Sequence, residues 1–146
     1  NAMIGGSRTK TGTTNLHETG YGLGLNYSSG AFSVGGALQQ FRERDGAGIK
    51  HTRTEYGLAA SYDFGPAKLF SHYMASKHSI PGGAFSKWEH ANIGVSVPVS
   101  DSLTLMAEYG RNRVKARVYD DTPPNAYLGQ IKGHTNYIQF GIRHTF

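Results

Sequence analysis

Glu55, Asp63, Lys68, Glu108 and Arg143 are spaced so that, in an extended chain where successive side chains point opposite ways, they share one face with His72, His90 and Gln139. Charges gathered on one wall set which ions and solutes enter a water-filled space. If crowded, the same groups pair across the interior and fill it. His72 and His90 sit on one hairpin, with His78 on the side of His72. They have neither a metal-ligand spacing nor an inward carboxylate beside them, so they read as polar lining, and no metal or cofactor is called for. The chain has no cysteine, which removes thiolate zinc sites, iron–sulfur clusters and cysteine nucleophiles. No Ser-His-Asp arrangement is identifiable. Gly20-Tyr-Gly-Leu-Gly24 alternates its glycines within an extended run and opens no helix, unlike a phosphate loop. The residues offer no reaction, and the chain reads as a non-enzyme.

The cations form a second group. Of 15 Lys and Arg, only Lys68 and Arg143 fall near tight turns; the others lie toward the opposite ends of the segments, among them Arg42, Arg44, Lys50, Arg53, Arg111, Arg113, Lys115 and Arg117. This basic rim would face lipid phosphates or draw anionic solutes. Nucleic acid is a poor partner, because Arg111, Arg113 and Lys115 have no aromatic stacking platform beside them.

The elements that must carry these residues are strands. With 20 Gly, nine Tyr, seven Phe and only 17% charged residues in 146, the composition is poor in helix formers. No apolar run is long enough for a transmembrane helix; the longest uncharged stretch, from Thr19 to Phe41, is broken by Asn, Ser, Gln and Gly. Period-two patterning gives seven strands, near 18–28, 32–43, 54–64, 68–78, 88–99, 102–113 and 134–146. Ile4–Thr13, weakly alternating, is the candidate for an eighth. Asn1-Ala2-Met3 reads as a tag remnant, so 1–16 is taken as that remnant plus the weak strand, and 17–146 as the strand array. Tight connections at Ser29-Gly30, Gly65-Pro66 and Ser100-Asp101 alternate with longer ones at Arg44–Arg53, Ser79–Lys87 and Val114–Gly133.

One face of these strands carries Leu23, Leu25, Val34, Leu58, Ile93, Val97, Leu105, Ile138, Phe140 and Ile142 with no Asp, Glu, Lys or Arg; the other is polar and glycine-rich. Aromatics band the apolar face at both ends: Tyr21, Tyr56, Tyr73 and Tyr109 toward the long connections, and Tyr27, Phe32, Tyr62, Phe64 and Phe146 toward the tight turns. Such bands suit the two interfaces of a bilayer, and Trp88 reads as a further interfacial anchor. A sheet in lipid must close, because open edges leave backbone groups unpaired in hydrocarbon. The expected architecture is therefore an all-β, antiparallel, up-and-down transmembrane β-barrel or part of one. Its rival is a soluble β-barrel with the apolar face inward around a small apolar ligand.

Four stretches are recognisable: Gly30-Ala-Phe-Ser-Val-Gly35, Tyr62-Asp-Phe-Gly-Pro-Ala-Lys-Leu-Phe70, Ile93-Gly-Val-Ser-Val-Pro98 and Phe140-Gly-Ile-Arg-His-Thr-Phe146. Through them the chain from 20 to 146 bears a resemblance to the general porin family of Gram-negative outer membranes. It implies the carboxyl-terminal half of a 16-stranded barrel, usually a homotrimer, that passes small hydrophilic solutes by diffusion across a bacterial outer membrane. The final strand, with Ile138, Phe140, Ile142 and Phe146 alternating and His144 breaking the pattern, is similar to the signal read by the barrel-assembly machinery. Implied partners are outer-membrane lipid and lipopolysaccharide. The family's amino-terminal strands and acidic constriction loop are not found, which leaves a second reading: a small eight-stranded barrel with a structural or surface-binding role through loops Arg44–Arg53 and Val114–Gly133. Eight strands enclose an interior that side chains can fill.

Overall fold

A computed structural model of the chain describes residues 2–11, 16–44, 49–80, 84–119 and 127–145. They form one sheet of eight strands in sequence order: β1 (Ala2–Thr11), β2 (Leu16–Ser29), β3 (Phe32–Arg44), β4 (Lys50–Asp63), β5 (Lys68–Ser79), β6 (Phe85–Pro98), β7 (Leu103–Tyr119) and β8 (Tyr127–His144). Every neighbouring pair is antiparallel. Among the described residues β1 and β8 do not contact each other, so the sheet is open. The seven strands expected from the patterning are all present. The weak eighth is β1, whose Ala2 and Met3 pair with Leu25 and Gly24; Gly12, Thr13 and Phe146 lie outside the described residues.

The tight turns are where the residue types require them. Gly65 holds φ at 90°, a value that side chains disfavour, and its N–H donates to Asp63 Oδ1 at 2.8 Å. At the other end the strands run further than the alternation suggests. Arg44 pairs with Lys50, Phe85 with Arg117, and β7 and β8 stay paired to Tyr119 and Tyr127 past one irregularity at Val118/Tyr119. Within the long connections, residues 50–53, 114–119 and 127–133 are therefore strand. Polar alternation carries ladder hydrogen bonds as well as apolar alternation does, whereas only the apolar part marks boundaries in the sequence.

The ladders settle the faces. Residues opposite each other across a pair share a face, and Leu23↔Leu38, Leu38↔Tyr56, Leu58↔Tyr73, Ile93↔Tyr109 and Tyr109↔Ile138 place the apolar set together. No described part of the chain covers it. Leu25 is 59% exposed, Ile93 51%, Val97 39% and Phe140 78%, and the one buried hydrophobic residue among those described is Ala75. A soluble barrel would have clustered these side chains in a core. The single-layer sheet leaves them bare, which overturns the soluble alternative. Strands of 12 to 18 residues, β1 apart, exceed the roughly 9–11 that a tilted strand needs to cross hydrocarbon. The surplus lies beyond the upper aromatic band, at the end opposite the tight turns.

Candidate functional site

On the polar face, β5 to β8 build a connected network. His72 and His90, on paired strands, bring their rings to 4.8 Å, and Trp88 stacks on His90 at 5.7 Å with planes 8° apart. Tyr137 of β8 stacks on the His90 ring at 5.9 Å and 15°. Its hydroxyl donates to Glu108 Oε1 at 3.1 Å, and Asn92 Nδ2 donates to Glu108 Oε2 at 2.9 Å. Asn92 Oδ1 accepts from the His72 backbone N–H at 3.0 Å, and Asn112 Oδ1 lies 2.7 Å from His90 Nδ1. The alternation places His72, His90 and Glu108 on this face, yet leaves the histidines with no carboxylate nearby. Registers across three ladders bring Glu108 beside them. Among the described residues no His, Asp or Glu group is disposed to hold a metal ion.

Two corrections follow from parity. Trp88 is not an interfacial anchor on the apolar face: it lies opposite Ser76 and Val114, in the polar-face row. Tyr137, which the sequence pattern does not single out, closes the network. Its ring lies directly over Gly110, whose missing Cβ makes the room, as Phe70 lies over Gly94, where an added Cβ would stand 2.5 Å from Phe70 Cζ. A glycine facing an aromatic residue across a ladder is the signal that could have found it.

The remaining polar-face candidates are spread along the wall. Lys68 and Arg143 line a concavity of about 420 Å³ with Asn26, Ser33, Ser96 and His72 near the tight-turn end. Asp63 stands opposite Lys68, and Gln139 opposite Glu108. Glu55 is at the other end, 3.4 Å from Arg53 Nε, which also lies 3.9 Å from Glu43 and against the Phe41 ring at 4.5 Å. These pairs lie along the wall, between neighbouring strands or within one.

The basic rim divides between the faces. Arg53 alone of the predicted set shares a face with Glu55. Arg42, Arg44 and Lys50 stand in the row of Leu38 and Tyr56, and Arg111, Arg113, Lys115 and Arg117 in the row of Tyr109. Most of the rim thus belongs to the outer, apolar side, beyond its aromatic band. Lys87 and Glu89 lie there too, joined at 2.8 Å, with the Tyr73 hydroxyl donating to Glu89 Oε1 at 2.9 Å. The hydrogen bond from Lys87, then that from Tyr73, holds the Glu89 carboxyl below its usual range, and the same bond raises Lys87.

A bare apolar band between aromatic girdles, backed by a polar wall, defines a membrane-spanning β-sheet of the outer-membrane type. The sequence matches the Gram-negative porin family over residues 1–146, and the chain belongs to that family. No curated protein matches it. Among solved structures it is similar to OmpT (in-vitro folded), an outer membrane protein of Vibrio cholerae, with a TM-score of 0.73 at 15% identity, covering 98% of this chain and 50% of that one. The chain thus spans half the length of this neighbour. Family and fold together place it in the bacterial outer membrane as a porin-like protein.

Proposed function

We propose that the polar face is part of the wall of a water-filled channel through which small hydrophilic solutes and ions diffuse passively, with no step of catalysis. The observation that carries this reading is the two-sidedness of one layer: Leu58, 61% exposed, and Ala59, its exposed neighbour, must meet different solvents. The outer edges of β1 and β8 need strand partners in hydrocarbon, so these eight strands work as part of a larger closed wall. The charges beside one another on that wall leave the space in front of it to water. The alternative of a plugged small barrel, acting through Arg44–Arg53 and Val114–Gly133, is disfavoured by the open edges of β1 and β8. In this reading the tight turns are periplasmic, the basic end is extracellular, Ile138, Phe140 and Ile142 present the outward alternation that assembly machinery reads, and the protein assembles as a homotrimer.

Planar-bilayer recording tests it. The porin carrying this chain should give steady, ohmic channels, and Lys68→Glu with Arg143→Glu should move the reversal potential in a salt gradient toward cation selectivity. Absence of steady conductance from folded protein would overturn the reading.

A further inference from the structure

Two apolar side chains on the polar face of β5–β8 take no part in the histidine network and lie across glycines of neighbouring strands. Phe70 of β5 covers Gly94, where an added Cβ would stand 2.5 Å from Phe70 Cζ, and Met106 of β7 covers Gly141, where it would stand 3.4 Å from Met106 Cε. Both are half-buried, one side against the wall and the other toward the space in front of it.

The ladders set them in one frame. Lys68 stands opposite Ser96, Ser96 opposite Met106, and Met106 opposite Gly141, a single row across four strands. Phe70 and Gly94 lie one same-face step above this row, and Arg143, opposite Thr104, one step below it toward the tight turns. At ~4.8 Å between strands the two ends of the row are about 14 Å apart, yet Lys68, Phe70, Ser96, Met106 and Arg143 line the same concavity of about 420 Å³. Two cations thus flank an apolar floor with a hydroxyl between them.

These cations are not neutralised by the wall itself. Asp63 stands opposite Lys68, but its Oδ1 accepts from the Gly65 N–H, and among the described residues neither Lys68 nor Arg143 makes an ion pair. Glu108, one step above Met106 on β7, is held by Tyr137 and Asn92. Both cations are exposed, so their charge is open to a solute. A small inorganic anion would engage the charges and leave the floor bare, whereas an uncharged ring compound would do the reverse. A carboxylate carried on an aromatic ring uses both parts: charge-assisted hydrogen bonds at one end, ring and thioether contacts at the other. The volume lies within the range of small-molecule sites.

We propose that this concavity binds aromatic carboxylates, the carboxylate held between Lys68 and Arg143 beside Ser96 and the ring lying on Phe70 and Met106. The site rests on the channel reading of the polar face and gives that channel a solute class. The test uses the porin carrying this chain, in detergent, with benzoate, acetate and benzylamine as probes and saturation-transfer NMR as the measure of binding. Benzoate should bind at least about tenfold more tightly than acetate, weaken with rising salt, and resist displacement by benzylamine, which has the same ring and the opposite charge. Lys68→Gln with Arg143→Gln should lose at least about tenfold in benzoate affinity, and Phe70→Ala about fivefold with acetate unchanged. Arg111→Gln with Arg113→Gln, the same charge change on the outer face, should bind benzoate as before. Equal affinity for benzoate and acetate, displacement by benzylamine, or undiminished binding in the Lys68/Arg143 variant would each overturn the proposal. Should Phe70→Ala fail to fold, the wild-type comparison of the three probes decides. Bilayer recording on the same protein separates the two readings: steady conductance without benzoate binding overturns the site alone, and benzoate binding without conductance counts against diffusion through the channel alone.

Discussion

Gly110 and Tyr137 act as a pair: the ring occupies the space that any side chain at 110 would claim, and from there its hydroxyl reaches Glu108. Gly110→Val should displace the ring, break the Glu108 bond and destabilise the sheet by about 1–3 kcal/mol. Gly133→Ala, with open space at its Cβ, should be nearly neutral. Denaturant unfolding of the reconstituted protein compares the two. His72 and His90 bring their rings to 4.8 Å on the polar face. Which face these histidines occupy is legible from parity alone. Their carboxylate neighbour is not, because Glu108 reaches them through the β5–β6, β6–β7 and β7–β8 registers together.

At the scale of the strand, alternation carries most of the information, and residue type misleads where it is allowed to outrank parity. By its chemistry Trp88 reads as an anchor, although its even position in β6 places it in the row of His90 and Asn92. The basic segment Arg111-Asn-Arg-Val-Lys-Ala-Arg117 is itself a period-two pattern, and the strand it marks reaches Tyr119. Its far half reads as loop because charged residues are depleted in strands generally, whereas here the strand continues past the apolar band. Face-specific charge tolerance follows from the same alternation. Leu58→Lys, on the apolar face between the girdles, should cost about 2–4 kcal/mol of folding free energy in lipid. Ala59→Lys, one position on and facing water, should cost far less. Unfolding titrations in bilayers measure both, and equal penalties would show that the strand has no lipid side.

For the whole molecule, the sequence makes the architecture legible while leaving closure unresolved, because closure depends on which chain supplies the partners of β1 and β8. A sheet of eight strands with one buried hydrophobic residue among those described has no core of its own; its apolar burial is against acyl chains and its polar wall is against water. That arrangement accounts for the girdles, for the glycines under aromatic rings on the wet side, and for cations that continue past the apolar band on the outer side. The absence of cysteine from the sequence permits a clean test of this division. Spin labels placed singly at Leu58→Cys and Ala59→Cys in the bilayer-reconstituted porin can be probed for collision with oxygen, which concentrates in lipid, and with a water-soluble nickel chelate. The label at 58 should respond to oxygen and the label at 59 to nickel; the same solvent at both positions, or the reverse order, would contradict the account.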